Sequence, residues 1–305
     1  MDTSTEINNT GVRHFLNQQF GKAEKCYREA LELNPENATV LNNMGLLYHQ
    51  KKRYEEAIEY FEEAIRIKPK DTFYVNAGNA AACLNRVEEA ESRYLKALEA
   101  NSNSVSAHKS LAKLYEYTGD FKKAAPLWTE LVRITGKEEF KVEYAQNLLN
   151  QKKYSKAVEI LYNQVSKESS RVWYLVGICE YQLKNYGWAV SCFKKGLAID
   201  PDDEDIRHYL AVTYVARGEA EKGILQLDKI LRVNPENYRI LTEKGVILLS
   251  ENQPSRALEL FEKSLSIHPE YDKAKKYRDM AVEILRESDK DDDVEDEDAN
   301  PHFSQ

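Results

Sequence analysis

One pattern of large and small residues returns along this chain every 32 to 34 residues, and that period limits the fold more than any other feature. A unit of this length cannot bury a core alone, so copies must stack and share one. The cleanest copy is 38–71, ATVLNNMGLLYHQKKRYEEAIEYFEEAIRIKPKD. Leu41, Met44, Gly45 and Tyr48 fall on one face of a first helix, and Tyr54, Ala57, Phe61 and Ala64 on one face of a second. Gln50-Lys51-Lys52-Arg53 makes the polar turn between them, and Pro69 closes the unit because proline disfavours helical geometry in the residue before it.

Leu41, Met44, Gly45, Tyr48, Ala57, Phe61, Ala64 and Pro69 fill the eight signature places of the tetratricopeptide (TPR) repeat, with Leu in place of the leading Trp. The stretch therefore resembles a TPR unit, and the same places divide the chain into windows 4–37, 38–70, 71–104, 105–137, 138–169, 170–203, 204–237 and 238–270. The small places suit close helix approach. Window five fits less well, because Gln164 stands where a small apolar residue belongs, and Pro126 in window four should remove one helical hydrogen bond. After Pro269, Ala274, Tyr277, Ala281, Ile284 and Leu285 line one side of 271–288, as expected of a helix that caps an open array. The resemblance implies an all-α fold, a right-handed TPR superhelix (an α-α solenoid) with a C-terminal capping helix, as a single array over 4–288.

Composition bears mainly on the end of the chain. Net charge is −8, of which residues 289–298 supply −7, so the acidity belongs to a segment 289–305 expected to be a disordered tail. The near-neutral remainder gives no electrostatic footprint for nucleic acid, and no run of 18 apolar residues exists for membrane insertion. The N-terminal MDTSTEINNT has neither basic residues nor an apolar core, so the expected location is cytoplasmic. Cys26, Cys83, Cys179 and Cys192 show no metal-site spacing and read as free thiols.

The windows and cap leave no stretch for a catalytic domain. The phosphate-binding, dinucleotide, zinc-protease and nucleophile-elbow motifs are all missing, and the six histidines are scattered. The expectation is no enzyme, no cofactor and no metal.

The informative residues are those the repeat pattern does not require. In TPR arrays the first helices line the concave face, and helical spacing puts the fifth, sixth and ninth places of each window there. In windows one to three these places hold Asn8, Asn9, Val12, Asn42, Asn43, Leu46, Val75, Asn76 and Asn79. Six are asparagine, whereas the chain's 20 asparagines in 305 residues predict about 0.6. Asparagine is a poor helix former, and its amide offers a donor and an acceptor suited to an extended backbone. Asn9, Asn43 and Asn76 are similar to the asparagine ladder of the TPR superhelix in O-GlcNAc transferases. Window four adds Lys109, Lys113 and Tyr117, while windows six and seven add Tyr174 and Tyr209. Asn8, Thr72 and Asn76 stand where the TPR clamp for chaperone C-termini needs basic residues, which argues against that ligand.

These residues lead to a non-enzymatic protein–protein interaction scaffold that binds an extended segment of a partner in its groove, with Lys109 and Lys113 reading an acidic group. Two alternatives stay open. One is a targeting or regulatory subunit of a separate enzyme; the other is a self-assembling homo-oligomeric scaffold built through the aromatic places of windows six and seven.

Overall fold

The structure, a computed structural model, describes the backbone of residues 3–298 and the side chains of 3–287 except residue 164. Among the described residues it contains helices and turns only, and the chain divides into two compact units between Val165 and Ser166. The first unit holds five helix pairs. These are α1 (Thr3–Leu16) with α2 (Phe20–Leu33), α3 (Ala38–Gln50) with α4 (Tyr54–Ile67), and α5 (Asp71–Cys83) with α6 (Val87–Ala100). Next come α7 (Val105–Tyr117) with α8 (Phe121–Thr135), then α9 (Glu138–Asn150) with α10 (Tyr154–Gln164). The second unit holds α11 (Ser170–Gln182) with α12 (Tyr186–Ile199), α13 (Glu204–Ala216) with α14 (Ala220–Val233), α15 (Tyr238–Ser250) with α16 (Pro254–Ile267), and the terminal α17 (Asp272–Asp298). Each pair falls inside one sequence window, except that α1 starts one residue before the first.

The pairs close on a single contact repeated in every window, between the eighth and the twenty-fourth residue. Where the eighth is glycine, an aromatic ring fills the space: a Cβ built on Gly45 would lie 2.5 Å from the Phe61 ring, and one on Gly177 the same distance from Phe193. Where it is Ala112, Ala145 or Ala211, the facing residue is Trp128, Leu161 or Leu227, all buried. The small residue sets how closely the helices approach, and the large one fills what remains.

Turns within pairs need one residue of positive φ. Gly119 (φ 81°) and Gly218 (φ 79°) meet that need without strain, whereas Lys52, Asn85 and Lys152 occupy the same turn at φ near 60°. Between pairs, side-chain caps start the next helix: Asn37 Oδ1 accepts from the Thr39 and Val40 amides, and Asp203 from the Ile206 amide.

Pro126 sits inside α8 without ending it. At the end of the second unit Tyr277 stacks on Phe261, and Ala274 and Ala281 are fully buried, so the start of α17 covers the last pair. The helix continues to Asp298, ten residues past the boundary expected at 288, and no glycine or proline interrupts 272–298. The remainder of the expected acidic tail, 299–305, lies outside the described residues.

Candidate functional site

The first helices of successive repeats meet along a fixed register, in which the fifth place of one repeat faces the sixth place of the next. In the first unit Asn43 Nδ2 donates to Asn8 Oδ1 at 2.8 Å, and Asn76 Nδ2 donates to Asn42 Oδ1 at 2.8 Å. The asparagines singled out from sequence are thus bonded to one another across repeats. Asn8 and Asn42 are buried, at 6% and 8% exposure, while Asn43 and Asn76 are half-exposed and Asn9 is open to solvent. Each rung uses one amide hydrogen of the sixth-place residue and leaves its carbonyl as an acceptor on the first-helix face.

Past the third repeat the rungs give way to a hollow of about 410 Å³, which gathers Asn79, Lys109, Lys113 and Tyr117 with Asn85, Tyr94 and Ser110. Asn79 is held from two sides, since its Oδ1 accepts from Tyr94 Oη at 2.8 Å and from Ser110 Oγ at 3.3 Å. Tyr117 stands at the rim, 75% exposed, with its hydroxyl 3.4 Å from Asn85 Oδ1. Such exposure is unusual for a tyrosine and leaves an aromatic face available.

The two lysines differ. Lys113 Nζ lies 2.6 Å from Glu143 Oε2 and 3.1 Å from Glu116 Oε2, and 5.0 Å over the Trp128 ring. Burial works against its charge, but hydrogen bonds to Glu143 and Glu116 outweigh it and hold the ammonium above the ordinary lysine range. Glu116 is itself fixed by Trp128 Nε1 at 2.8 Å and Asn147 Nδ2 at 3.1 Å. The charge of Lys113 is therefore committed within the unit. Lys109 is exposed and has no ion-pair partner among the described residues, so it is the cation of the hollow free to meet an acidic group.

The second unit keeps the register and changes the chemistry. Tyr174 and Tyr209 occupy the fifth and sixth places and meet edge to face, with centroids 5.5 Å apart. Burial, then the neighbouring Tyr209, pushes the Tyr174 hydroxyl up from its ordinary value. Both rings are half-buried. At the next junction His208 Nε2 lies 2.6 Å from Glu243 Oε2.

Tyr94 and Asn85 line the first hollow but were not singled out from sequence. Tyr94 fills a packing place and Asn85 a turn place, so only the fold shows their second role. Among the described residues no group of three or more His, Cys, Asp or Glu could hold a metal ion, and no helix is long and apolar enough to cross a membrane.

Family models for the tetratricopeptide repeat match residues 11–72, 75–139 and 210–272, and a second such model matches 170–203. A TPR repeat-containing protein of Methanocaldococcus jannaschii is 29% identical over 174 residues, which are 53% of this chain and 30% of that protein. The tetratricopeptide repeat-containing protein trd-1 of Caenorhabditis elegans is 19% identical over 189 residues, 61% of this chain and 24% of that protein. The chain thus spans less than a third of the length of these relatives. Among solved structures, the Cut9–Hcn1 hetero-tetramer of the APC/C superposes with a TM-score of 0.56 at 16% identity, covering 86% of this chain and 52% of that chain. Stacked helix pairs closed by one recurring small-to-large contact, together with matches over more than half of the residues, establish that the chain belongs to the tetratricopeptide repeat family.

Proposed function

We propose that this chain is a non-catalytic scaffold that captures an extended segment of a partner protein on the first-helix face of its first unit. The TPR fold supports a role in protein–protein interaction, and the hollow at repeats three and four carries the finer reading. It combines a ring exposed to 75%, an unpaired Lys109 and the fixed amides of Asn79 and Asn85. A partner residue that stacks on Tyr117 and brings a carboxylate to Lys109 would use both, while the carbonyls of Asn43 and Asn76 accept from its backbone amides. The rungs hold those carbonyls in place before binding, which lowers the ordering cost.

Affinity capture on the intact chain from the source cells' lysate, with mass spectrometry of what is retained, tests this against a Lys109→Glu/Tyr117→Ala double variant. Partners retained by the parent and lost by the variant, at equal helicity, are expected. An unchanged set of partners would remove the hollow from the function.

A further inference from the structure

The second unit holds a hollow of its own, about 400 Å³, between the first helices of repeats seven and eight and the start of the terminal helix. That volume lies within the roughly 300–1,000 Å³ of sites that take small ligands or side chains. Val212, Val215 and Ala216 of α13 and Val246 and Ile247 of α15 form apolar walls, closed on one side by Tyr181 of α11. Two charged residues line it, Glu243 and Lys273.

Those two charges are not equivalent. Glu243 is tied to His208 at 2.6 Å, whereas Lys273 is exposed and has no ion-pair partner among the described residues. With His208 protonated, the His208–Glu243 pair sums to zero and Lys273 is left as the uncompensated charge at the lip. The hollow is then apolar inside and cationic at its edge, which is complementary to an aliphatic group beside an anion.

We propose that this hollow docks an extended segment of a partner protein that carries an aliphatic residue next to an aspartate or glutamate, the side chain filling the apolar walls and the carboxylate pairing with Lys273. The site is separate from the hollow of the first unit and uses none of its residues.

The pair behind the lip gives the site a sign of pH dependence. The groups facing His208 are Glu243 from α15 and Glu204 and Asp205 on its own helix, with the Tyr209 ring 5.7 Å away; Lys273 of α17 faces Glu243. The bond to Glu243 holds the imidazolium above the ordinary histidine value against burial. Burial raises the Glu243 carboxyl, but the His208 bond and charge outweigh it and hold the group below the ordinary range. Once His208 loses its proton, Glu243 carries an unbalanced negative charge that neutralises Lys273. An acidic segment then binds less well.

A displayed library of random dodecapeptides panned on the intact chain tests the proposal. Enrichment of aliphatic–acidic pairs is expected, with binding at least about tenfold weaker in Lys273→Glu and in Ala216→Trp, which fills the hollow from an exposed helix end. Binding should also weaken from about pH 6 to about pH 8.5 and lose that dependence in His208→Gln. A thermal melt of Lys273→Glu and of Ala216→Trp matching the parent keeps unfolding apart from lost docking. Enriched peptides that lack such pairs, or that ignore both substitutions, overturn the inference. Peptides sensitive to Lys109→Glu alone overturn it while leaving the first-unit reading intact, and a library with no enrichment counts against both.

Discussion

A glycine facing a ring in some repeats and an alanine facing leucine in others amounts to a natural exchange, which can be run as a double-mutant cycle at Gly45 and Phe61. The Gly45→Ala methyl would start 2.5 Å from a ring carbon, so the ring or the helix must move by about 1 Å to reach ordinary contact. Overpacking of this kind costs about 1–3 kcal/mol, while replacing a mid-helix glycine with alanine returns about 1 kcal/mol. The net loss expected for Gly45→Ala is therefore about 0–2 kcal/mol. Phe61→Leu alone opens a void beside Gly45 and should cost about 1–3 kcal/mol. Together they recreate the pairs of Ala145 with Leu161 and of Ala211 with Leu227, each at most 1% exposed. The clash disappears and the methyl occupies part of the void, so the double variant should be more stable than the sum of the singles by about 1–3 kcal/mol. Urea unfolding followed by circular dichroism measures all four corners. Since repeat arrays can unfold in segments, a common slope across the four transitions is required before the energies are compared. Additivity within about 0.5 kcal/mol would refute the view that these two places are one interlocking choice.

Asn42→Ala leaves the Asn76 amide without its bond and should cost about 1–2 kcal/mol, read from the same unfolding curves. The His208–Glu243 rung stabilises the second unit over a defined window. Its histidine contribution is full below the unfolded pKa near 6.5 and is lost as pH rises through the higher folded value. Its glutamate contribution is present above 4.5 and is lost as pH falls through the lower folded value, so His208→Gln should flatten melting temperature against pH on the alkaline side. Gly119→Ala at φ 81° should cost about 1–2 kcal/mol, and a neutral result in a thermal melt would show that this turn tolerates a side chain.

The helix pairs were legible because the signature places depend on contacts inside one pair, and spacing alone fixes those. Tyr54, Ala57 and Phe61 start and fill α4 as their positions predict. The asparagines were legible as unusual, but their bonding was not. A single-helix projection puts Asn42 and Asn43 side by side, yet Asn42 accepts from the repeat ahead and Asn43 donates to the repeat behind. That division depends on the stagger between neighbouring first helices. Lys109 and Lys113 looked alike for the same reason, since Glu143, the residue that neutralises Lys113, comes from the next repeat. The Lys273 hollow was not legible because its walls are mainly ordinary valines and alanines and its cation belongs to the cap.

The rungs also bear on how such a chain can be lengthened or shortened. Excising repeat two would set Asn8 against Asn76, again an amide against an amide, so the junctions among repeats one to three are interchangeable in duplication and deletion. Excising repeat seven would set Tyr174 against Glu243, a ring against a carboxylate. Repeats one to three can therefore lose or gain a copy by recombination without repair at the rung, whereas repeats six to eight are each keyed to a neighbour and are inherited with it.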